Sequence, residues 1–556
     1  MADREALRER IGRETFDLVI IGGGVTGAGI ANDAALRGLS VALLEKGDFA
    51  SGASGRSSRL VHGGLRYLRH RQIRLVRESL RERYYLLRLA PHLVRRIPFI
   101  LPFFEESRDS ALLLRAGLIG YGLLAGRQRI GGHQAYSKED LARKEPQLRT
   151  DGLRSGLSYF DATTDDARLT LAVVRSAQQH GALALNYAEA VGFERTGSRI
   201  AGVHYRDALT GGEGTVRARV VVSAAGPWTD DVRRLAAAAA TMRPTKGIHV
   251  VVPSNRLATN SIVLFGSDER MLFAVPHGEH TYLGTTDTDF SGDPSSARAD
   301  REDVAYVLEA ANGLFDTELT EADVVGTWAG VRPLLREEGT PSGVSRDYAI
   351  MDGPQGLVTI VGGKLTTFRA MAERLVDHVI EREGSSFSRR PAACRTRREP
   401  LFGGDTEDFE GYAKAAIGRL RDDRGIDEEV AKRLLDVYGT EHQAVLANAD
   451  ASEELLQPLA PGVPVLAAEA AYAVEHEMAL TLEDFMTRRS GLMLFGGGDD
   501  AAVSAARVMG DALAWSEDEV EGQLASYRAR VADMFSFKGD SQAASTAKKK
   551  STTTSN

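Results

Sequence analysis

The stretch Phe16-Asp-Leu-Val-Ile-Ile-Gly-Gly-Gly-Val-Thr-Gly-Ala-Gly29 decides the fold. It reads as a buried strand, a glycine-rich turn and the start of a helix. A second apolar run, Leu39-Ser-Val-Ala-Leu-Leu-Glu45, follows and ends in an acid. This is the β-α-β pattern that holds the ADP half of a dinucleotide. Gly22 permits the tight turn off the strand, and Gly24 lets a pyrophosphate approach the backbone. Gly27 lets the helix pack close to the sheet. The pyrophosphate then meets unpaired amides at a helix N-terminus, where the dipole favours negative charge. Glu45 is positioned to accept hydrogen bonds from ribose hydroxyls, and its carboxylate disfavours a 2′-phosphate. Three glycines alone are a weak signal in a chain with 57 of them. The strand before, the helix after and the spaced acid make the pattern specific.

Working outward, 556 residues are too many for one core, so two or three domains are expected. The composition, 43% hydrophobic and 26% charged, is that of a soluble globular protein. A net charge of −8 gives no case for nucleic-acid binding. The single cysteine, Cys394, excludes an intrachain disulfide and a cysteine-ligated iron–sulfur cluster. The charged N-terminus, Met1 to Arg13, runs straight into the first strand and has no secretory character, which predicts a cytoplasmic location. The most apolar helical stretch, residues 111–126, is too short to span a bilayer and contains Arg115. With Arg108, Arg127 and Arg129 around it, it reads either as a helix within the fold or as a patch that dips into a membrane surface.

Further along, the first helix is expected to end at Arg37, with Gly38 after it. A Gly/Ser-rich loop runs from Gly47 to Ser58. Asp165 or Asp166 caps a helix to His180. The run Arg219-Val-Val-Val-Ser-Ala-Ala-Gly-Pro-Trp228 is another buried strand whose small-residue end lets backbone lie close to a ligand. Strand-like runs fill 241–346, including Ile248-His-Val-Val-Val252, where His249 reads as core or pocket lining. The segment Gly356-Leu-Val-Thr-Ile-Val-Gly-Gly-Lys-Leu-Thr-Thr-Phe368 is a second strand–Gly-Gly–helix unit. Residues 385–400 read as a linker, and from about Asp405 to Phe537 the pattern is helical. Asp427 and the Ser516/Glu519 capping box mark two helix starts. Residues 541–556 carry no apolar periodicity and read as a solvated, disordered tail.

A dinucleotide fold alone does not choose between NAD and FAD. The chain binds at its N-terminus and returns much later, at Ala225-Gly226-Pro227 and Gly362-Gly363-Lys364. Such wrapping suits a large cofactor that is never released. A helix starting near Gly363 would aim its amides at the flavin N1–C2=O edge and favour the anionic reduced ring.

Four further motifs carry a resemblance: His62-Gly-Gly-Leu-Arg-Tyr-Leu68, Gly284-Thr-Thr-Asp287, Gly330-Val-Arg-Pro333 and Gly362-Gly-Lys-Leu-Thr-Thr367. Together they resemble the FAD-dependent glycerol-3-phosphate dehydrogenases, from about residue 14 to 380 and more weakly beyond. The resemblance implies FAD, a fold similar to glycine and D-amino-acid oxidases, and oxidation of sn-glycerol 3-phosphate to dihydroxyacetone phosphate. It also implies hydride transfer from C2 to flavin N5, electrons passed to a quinone, and attachment to the inner face of the membrane without spanning it. The substrate phosphate needs cations, and arginine offers bidentate geometry. Arg66 and Arg332 are the expected anchors, with Tyr67 and Lys364 beside them. His62 is the expected general base for the C2 hydroxyl, because its ordinary pKa lies near neutrality. Arg332 or Lys364 would stabilise the developing alkoxide.

The expected cofactor set is Gly22, Gly24, Gly27, Glu45, Ser57, Ser58, Ala225, Gly226, Gly362, Gly363, Lys364, Leu365 and Thr366, with no metal site. Asp287 is expected to fix a turn, and Arg488 and Arg489 to be structural or interfacial. The expected fold class is α/β: a Rossmann-like FAD-binding domain, a mixed-sheet substrate domain and an all-helical C-terminal domain. The boundaries are 14–90, 150–240 and 345–385 for the first, 91–149 and 241–344 for the second, and 400–537 for the third. Two enzymatic rivals stay open: a glycerol-3-phosphate oxidase using O₂, and an amino-acid or sarcosine-type oxidase. The second does not explain Arg66, Arg332 and Lys364 together. A non-catalytic flavin-binding protein is the rival from another class. Homodimer formation is left open.

Overall fold

The computed structural model describes residues 2–69, 72–106, 111–265, 271–336, 347–450, 452–496 and 498–539, apart from the side chains of 2, 3, 66, 69 and 111. The tail at 541–556 and the side chain of Arg66 therefore lie outside the described residues.

The opening β-α-β unit forms as read. The strand Thr15–Ile21 is buried after its first residue, and the helix Val25–Leu36 follows directly from Gly24. Gly22 has φ +115°, a left-handed value that glycine adopts without strain, and a Cβ there would lie 2.4 Å from the Ala224 carbonyl oxygen. The helix ends at Arg37, followed by Gly38 at φ +86°.

Among the described residues the first sheet has eight strands. At its centre Thr15–Ile21 pairs in parallel with Val41–Leu44 on one side and Glu213–Ser223 on the other. Leu357–Gly362 extends the parallel set beyond Glu213–Ser223. Parallel pairing puts the carboxyl ends of four strands along one edge: Ile21, Leu44, Ser223 and Gly362. In open α/β sheets this edge is where ligands bind. The near-continuous Val/Ile/Leu strands are buried because helices cover one face, while the strands Ala188–Thr196 and Arg199–Asp207 and the helix Ala2–Arg13 pack on the other. Helix Val25–Leu36 packs between Asp166–Gln179 and Phe368–Glu383. The helix Asp166–Gln179 is capped by Asp165, whose side chain accepts from the Arg168 amide.

Among the described residues the second sheet has ten strands. Its spine is the antiparallel pair Val94–Phe104 with Leu153–Thr164, joined through Ile262–Phe265 to the group that contains Met242–Pro253 and Gly326–Leu335. This moves one expected boundary. Residues 153–164, expected with the cofactor domain, pair with 94–104 across one bulge and belong to the second sheet. Leu60–Val61 joins the same sheet through Thr163 and Ala162. The pairing partner, not the local pattern, decides membership.

The C-terminal region from Phe409 to Asp533 is helical, and Asp427 and the Ser516/Glu519 box cap their helices as expected. The 385–400 segment is packed rather than free. Ser388 donates its amide to Asp17, Ala392 donates its amide to the Arg37 carbonyl, and Arg369 reaches Thr396. The helical region is locked to the cofactor domain by buried charge. Asp48 accepts from Arg488 and Arg489, and Arg168 forms a two-pronged pair with Glu477 at 2.8 Å per contact.

Candidate active site

A cavity of about 750 Å³ opens at the carboxyl edge of the parallel strands and continues onto the second sheet. Its wall includes Gly22, Gly24, Glu45, Ala225, Gly226, Gly362 and Gly363 at one end and His62, Tyr67, His249, Arg332 and Lys364 at the other. Segments remote in sequence thus meet in one space. Of the expected cofactor set, Ser57, Ser58, Leu365 and Thr366 also line it. Gly27 does not; it lies behind the turn, where a Cβ would sit 1.9 Å from the Gly22 carbonyl oxygen.

The dinucleotide end is shaped by close backbone. Gly24, the cap of the helix Val25–Leu36, has no side chain, and this helix start, Gly24 to Thr26, lines the cavity. Ser54 Oγ accepts from the Val25 amide at 2.9 Å. Glu45 accepts from the Gly23 and Gly47 amides at 2.7 and 2.9 Å. Burial pushes its carboxyl above the usual range, partly offset by those two amides. Glu45 therefore organises the turn and also lines the cavity. The fit to a dinucleotide rests on this cradle of glycines, amides and one acid.

At the other end, Arg332 projects from the strand Gly326–Leu335 across Gly247, where a Cβ would come within 2.2 Å of the guanidinium. It donates to Thr285 Oγ1 at 2.8 Å and to the Thr286 carbonyl at 3.1 Å, with Asp287 at 3.4 Å. Asp287, expected to fix a turn, also partners this arginine. Lys364 lies in extended backbone just before the turn Leu365–Thr367, which leads into helix Phe368–Glu383. Its ammonium sits 3.8 Å from the centre of the Tyr67 ring and 3.2 Å from Ser79 Oγ. Gly64 makes that meeting possible: it has φ +76°, and a Cβ would lie 2.2 Å from Tyr67. His62 donates its amide to Thr366 Oγ1 at 3.1 Å, and its ring meets Phe273 edge-on. Arg66 begins the short helix Arg66–Arg69 on this loop.

His249 is the cavity residue that the sequence placed only as lining. It is buried, stacks on Trp328 at 4.6 Å, and bonds Ser58 Oγ through Nε2 at 2.9 Å. Burial first, then Arg332 and Arg59, push its pKa well below the ordinary value, so it is neutral. The available signal was a lone histidine in the apolar run 248–252.

Comparison with known proteins is direct at this point. Residues 17–377 match the family model described as FAD dependent oxidoreductase, and residues 394–520 match the C-terminal domain of alpha-glycerophosphate oxidase. The chain is 38% identical over 536 residues to glycerol-3-phosphate dehydrogenase 2 of Mycobacterium tuberculosis, covering 95% of this chain and 90% of that one. The chain belongs to the FAD-dependent glycerol-3-phosphate dehydrogenase family. The aerobic glycerol-3-phosphate dehydrogenase of Staphylococcus haemolyticus is likewise 38% identical, covering 89% of this chain and 90% of the relative. The glycerol-3-phosphate dehydrogenase of Bacillus halodurans, solved with FAD, superposes with a TM-score of 0.80 at 33% identity, covering 96% and 98% of the two chains. An L-alpha-glycerophosphate oxidase from Mycoplasma pneumoniae gives a TM-score of 0.51 at 20% identity over 65% of this chain, a likeness of fold alone. FAD is the cofactor of the family.

Proposed function

We propose that the protein oxidises sn-glycerol 3-phosphate to dihydroxyacetone phosphate and passes the electrons to a membrane quinone. One observation carries the reading: Arg332, Lys364 and Tyr67 line the same cavity as the glycine cradle, so a cationic cup adjoins the cofactor space. Bound FAD supplies the hydride acceptor at N5. Arg332 holds the phosphate dianion, and Arg66 is its partner by motif position. Lys364 faces the C2 oxygen and stabilises negative charge as it develops. His62 takes the C2 hydroxyl proton.

A second reading of the proton step gives it to His249. It is favoured by the placement of His249 two residues from Gly247, over which the Arg332 guanidinium lies. The pH profile of kcat/KM separates the two. The variant lacking the base, His62→Asn or His249→Asn, loses the acidic limb, and the other variant keeps it.

The dehydrogenase reading is supported by the names of the Mycobacterium and Staphylococcus relatives, and the single cysteine cannot ligate an iron–sulfur relay. The oxidase reading is supported by the match of residues 394–520 to an oxidase domain. A peripheral membrane location is supported by the helix Ala111–Ala125, where Leu112, Leu113 and Leu123 are 77%, 67% and 77% exposed. Among the described residues no helix is long and apolar enough to cross a membrane. Anaerobic addition of glycerol 3-phosphate tests the central claim: the flavin absorbance at about 450 nm should bleach. An unbleached flavin refutes it. Peroxide formation against quinone reduction then decides the acceptor.

A further inference from the structure

Beneath the loop that carries His62 and Tyr67 lies a buried charged group that takes no part in the chemistry proposed above. Asp161, on the strand Leu153–Thr164, pairs with Arg83 of the helix Ile73–Leu89 and accepts from the Tyr121 hydroxyl at 2.8 Å. All three side chains are buried. The same carboxylate oxygen that meets Arg83 also accepts the Gly63 amide, at 3.3 Å. Gly63 rests directly on this group: a Cβ there would lie 2.2 Å from the Tyr121 hydroxyl and 2.6 Å from Leu80.

The loop is therefore fixed on two sides. His62 is tied through its amide to Thr366, on the segment that carries Lys364. One residue later, Gly63 is tied to Asp161. Gly64 then turns, and the Tyr67 amide donates back to its carbonyl at 2.9 Å. A shift of Gly63 moves Gly64, on which Tyr67 packs, and with it the Tyr67–Lys364 contact. A buried ion pair is by itself poor evidence of a role, because apolar packing often serves as well. What distinguishes this one is that its carboxylate also holds a loop amide at the cavity. Arg83 and the Tyr121 hydroxyl fix where that carboxylate points.

We propose that Asp161, oriented by Arg83 and Tyr121, is a positioning residue that sets the substrate loop at 62–67. This rests on the glycerol 3-phosphate reading above. Tyr121→Phe removes one donor and keeps the ring. A freed carboxylate holds the Gly63 amide less well, so ground-state and transition-state binding weaken together. KM for glycerol 3-phosphate should rise about tenfold, with kcat within about twofold, as expected when uniform binding through one charge-assisted hydrogen bond is lost. Flavin content and the oxidised spectrum should match the wild type. Asp161→Asn should raise KM at least as far. KM does not depend on the fraction of loaded enzyme, so a partly folded preparation still reports. An unchanged KM in both variants overturns the proposal. Loss of flavin from Tyr121→Phe also overturns it, by making the group a structural support. If the wild type itself fails to turn over glycerol 3-phosphate, the underlying reading has failed instead.

Discussion

Replacing Asp48 by Asn should loosen the C-terminal region and the cofactor together. Asp48 is fully buried and serves two arginines: Arg488 through Nε, and Arg489, whose second guanidinium nitrogen lies 2.9 Å from Oδ1. Burial alone would push the Asp48 carboxyl up, but Arg489 and Arg488 outweigh it and hold the group below the usual range. The second acid nearby, Asp484, is taken by Arg488 and the Tyr187 hydroxyl. Asparagine keeps the shape and removes the charge, leaving Arg489 only the Glu477 carboxylate at 3.9 Å, which already serves Arg168. Removing one partner of a buried pair costs about 3–5 kcal/mol. A unit of about 150–250 residues shifts by about 2–4 °C per kcal/mol, so Tm should fall by roughly 6 to 20 °C. The cofactor should feel it, because Asp48 lies on the turn whose Gly47 carbonyl accepts from the Tyr187 amide and whose Glu45 faces the cavity. Thermal melting followed by the fluorescence of released flavin reads both effects in one trace. A variant that melts within about 2 °C of wild type with full flavin occupancy would refute the claim that this buried charge holds the junction.

Arg332→Ala should lower kcat/KM for glycerol 3-phosphate by about 30- to 5,000-fold, the equivalent of about 2–5 kcal/mol for truncating one partner of a buried charge pair; dye-linked steady-state kinetics measure it, and a loss below fivefold removes the arginine from the site. Gly27→Ala should abolish FAD retention, because the new methyl would overlap the Gly22 carbonyl oxygen at 1.9 Å; flavin-to-protein absorbance after purification checks it. His92 is buried, and burial, then Arg168 and Arg95, push its pKa down to about 3 from an ordinary 6.5. Its unfolded form binds the proton first, so stability is full above pH 6.5 and is lost as pH falls toward 3. The loss is at most about 5 kcal/mol, and His92→Gln should flatten the dependence of Tm on pH across that window.

The parts of this molecule that were legible in the sequence are those fixed by neighbours along the chain. The turn at Gly22–Gly24, the caps at Asp165, Asp427 and Ser516, and the end of the helix Val25–Leu36 at Arg37 each depend on a few adjacent residues. The motif residues His62, Arg332 and Lys364 do converge on the cavity, because their strand and loop ends face the same edge. What stayed hidden depends on distant pairing. Nothing local tells residues 153–164 to pair with 94–104 instead of joining the parallel sheet. The Asp48–Arg489 contact joins residues 441 apart in the chain. The valines around His249 leave core and pocket lining equally open in the sequence, and the cavity wall that it shares with Arg332 decides for lining.

The strand order has a consequence for how the protein is made. Residue 15 pairs with residue 217, and residue 221 with residue 357, so the cofactor edge is assembled from parts translated far apart in time. A ribosome that has finished the first glycine turn must add most of the catalytic chain before Gly362 exists to close the cavity. Until residue 217 is made, Thr15–Ile21 has only Val41–Leu44 as a parallel partner and its other edge stays open, and such exposed edges are where chains stick to one another. Free FAD can stabilise only the nearly finished polypeptide. Starving cells of riboflavin during synthesis should therefore cost more active protein than the same starvation imposed after synthesis has ended.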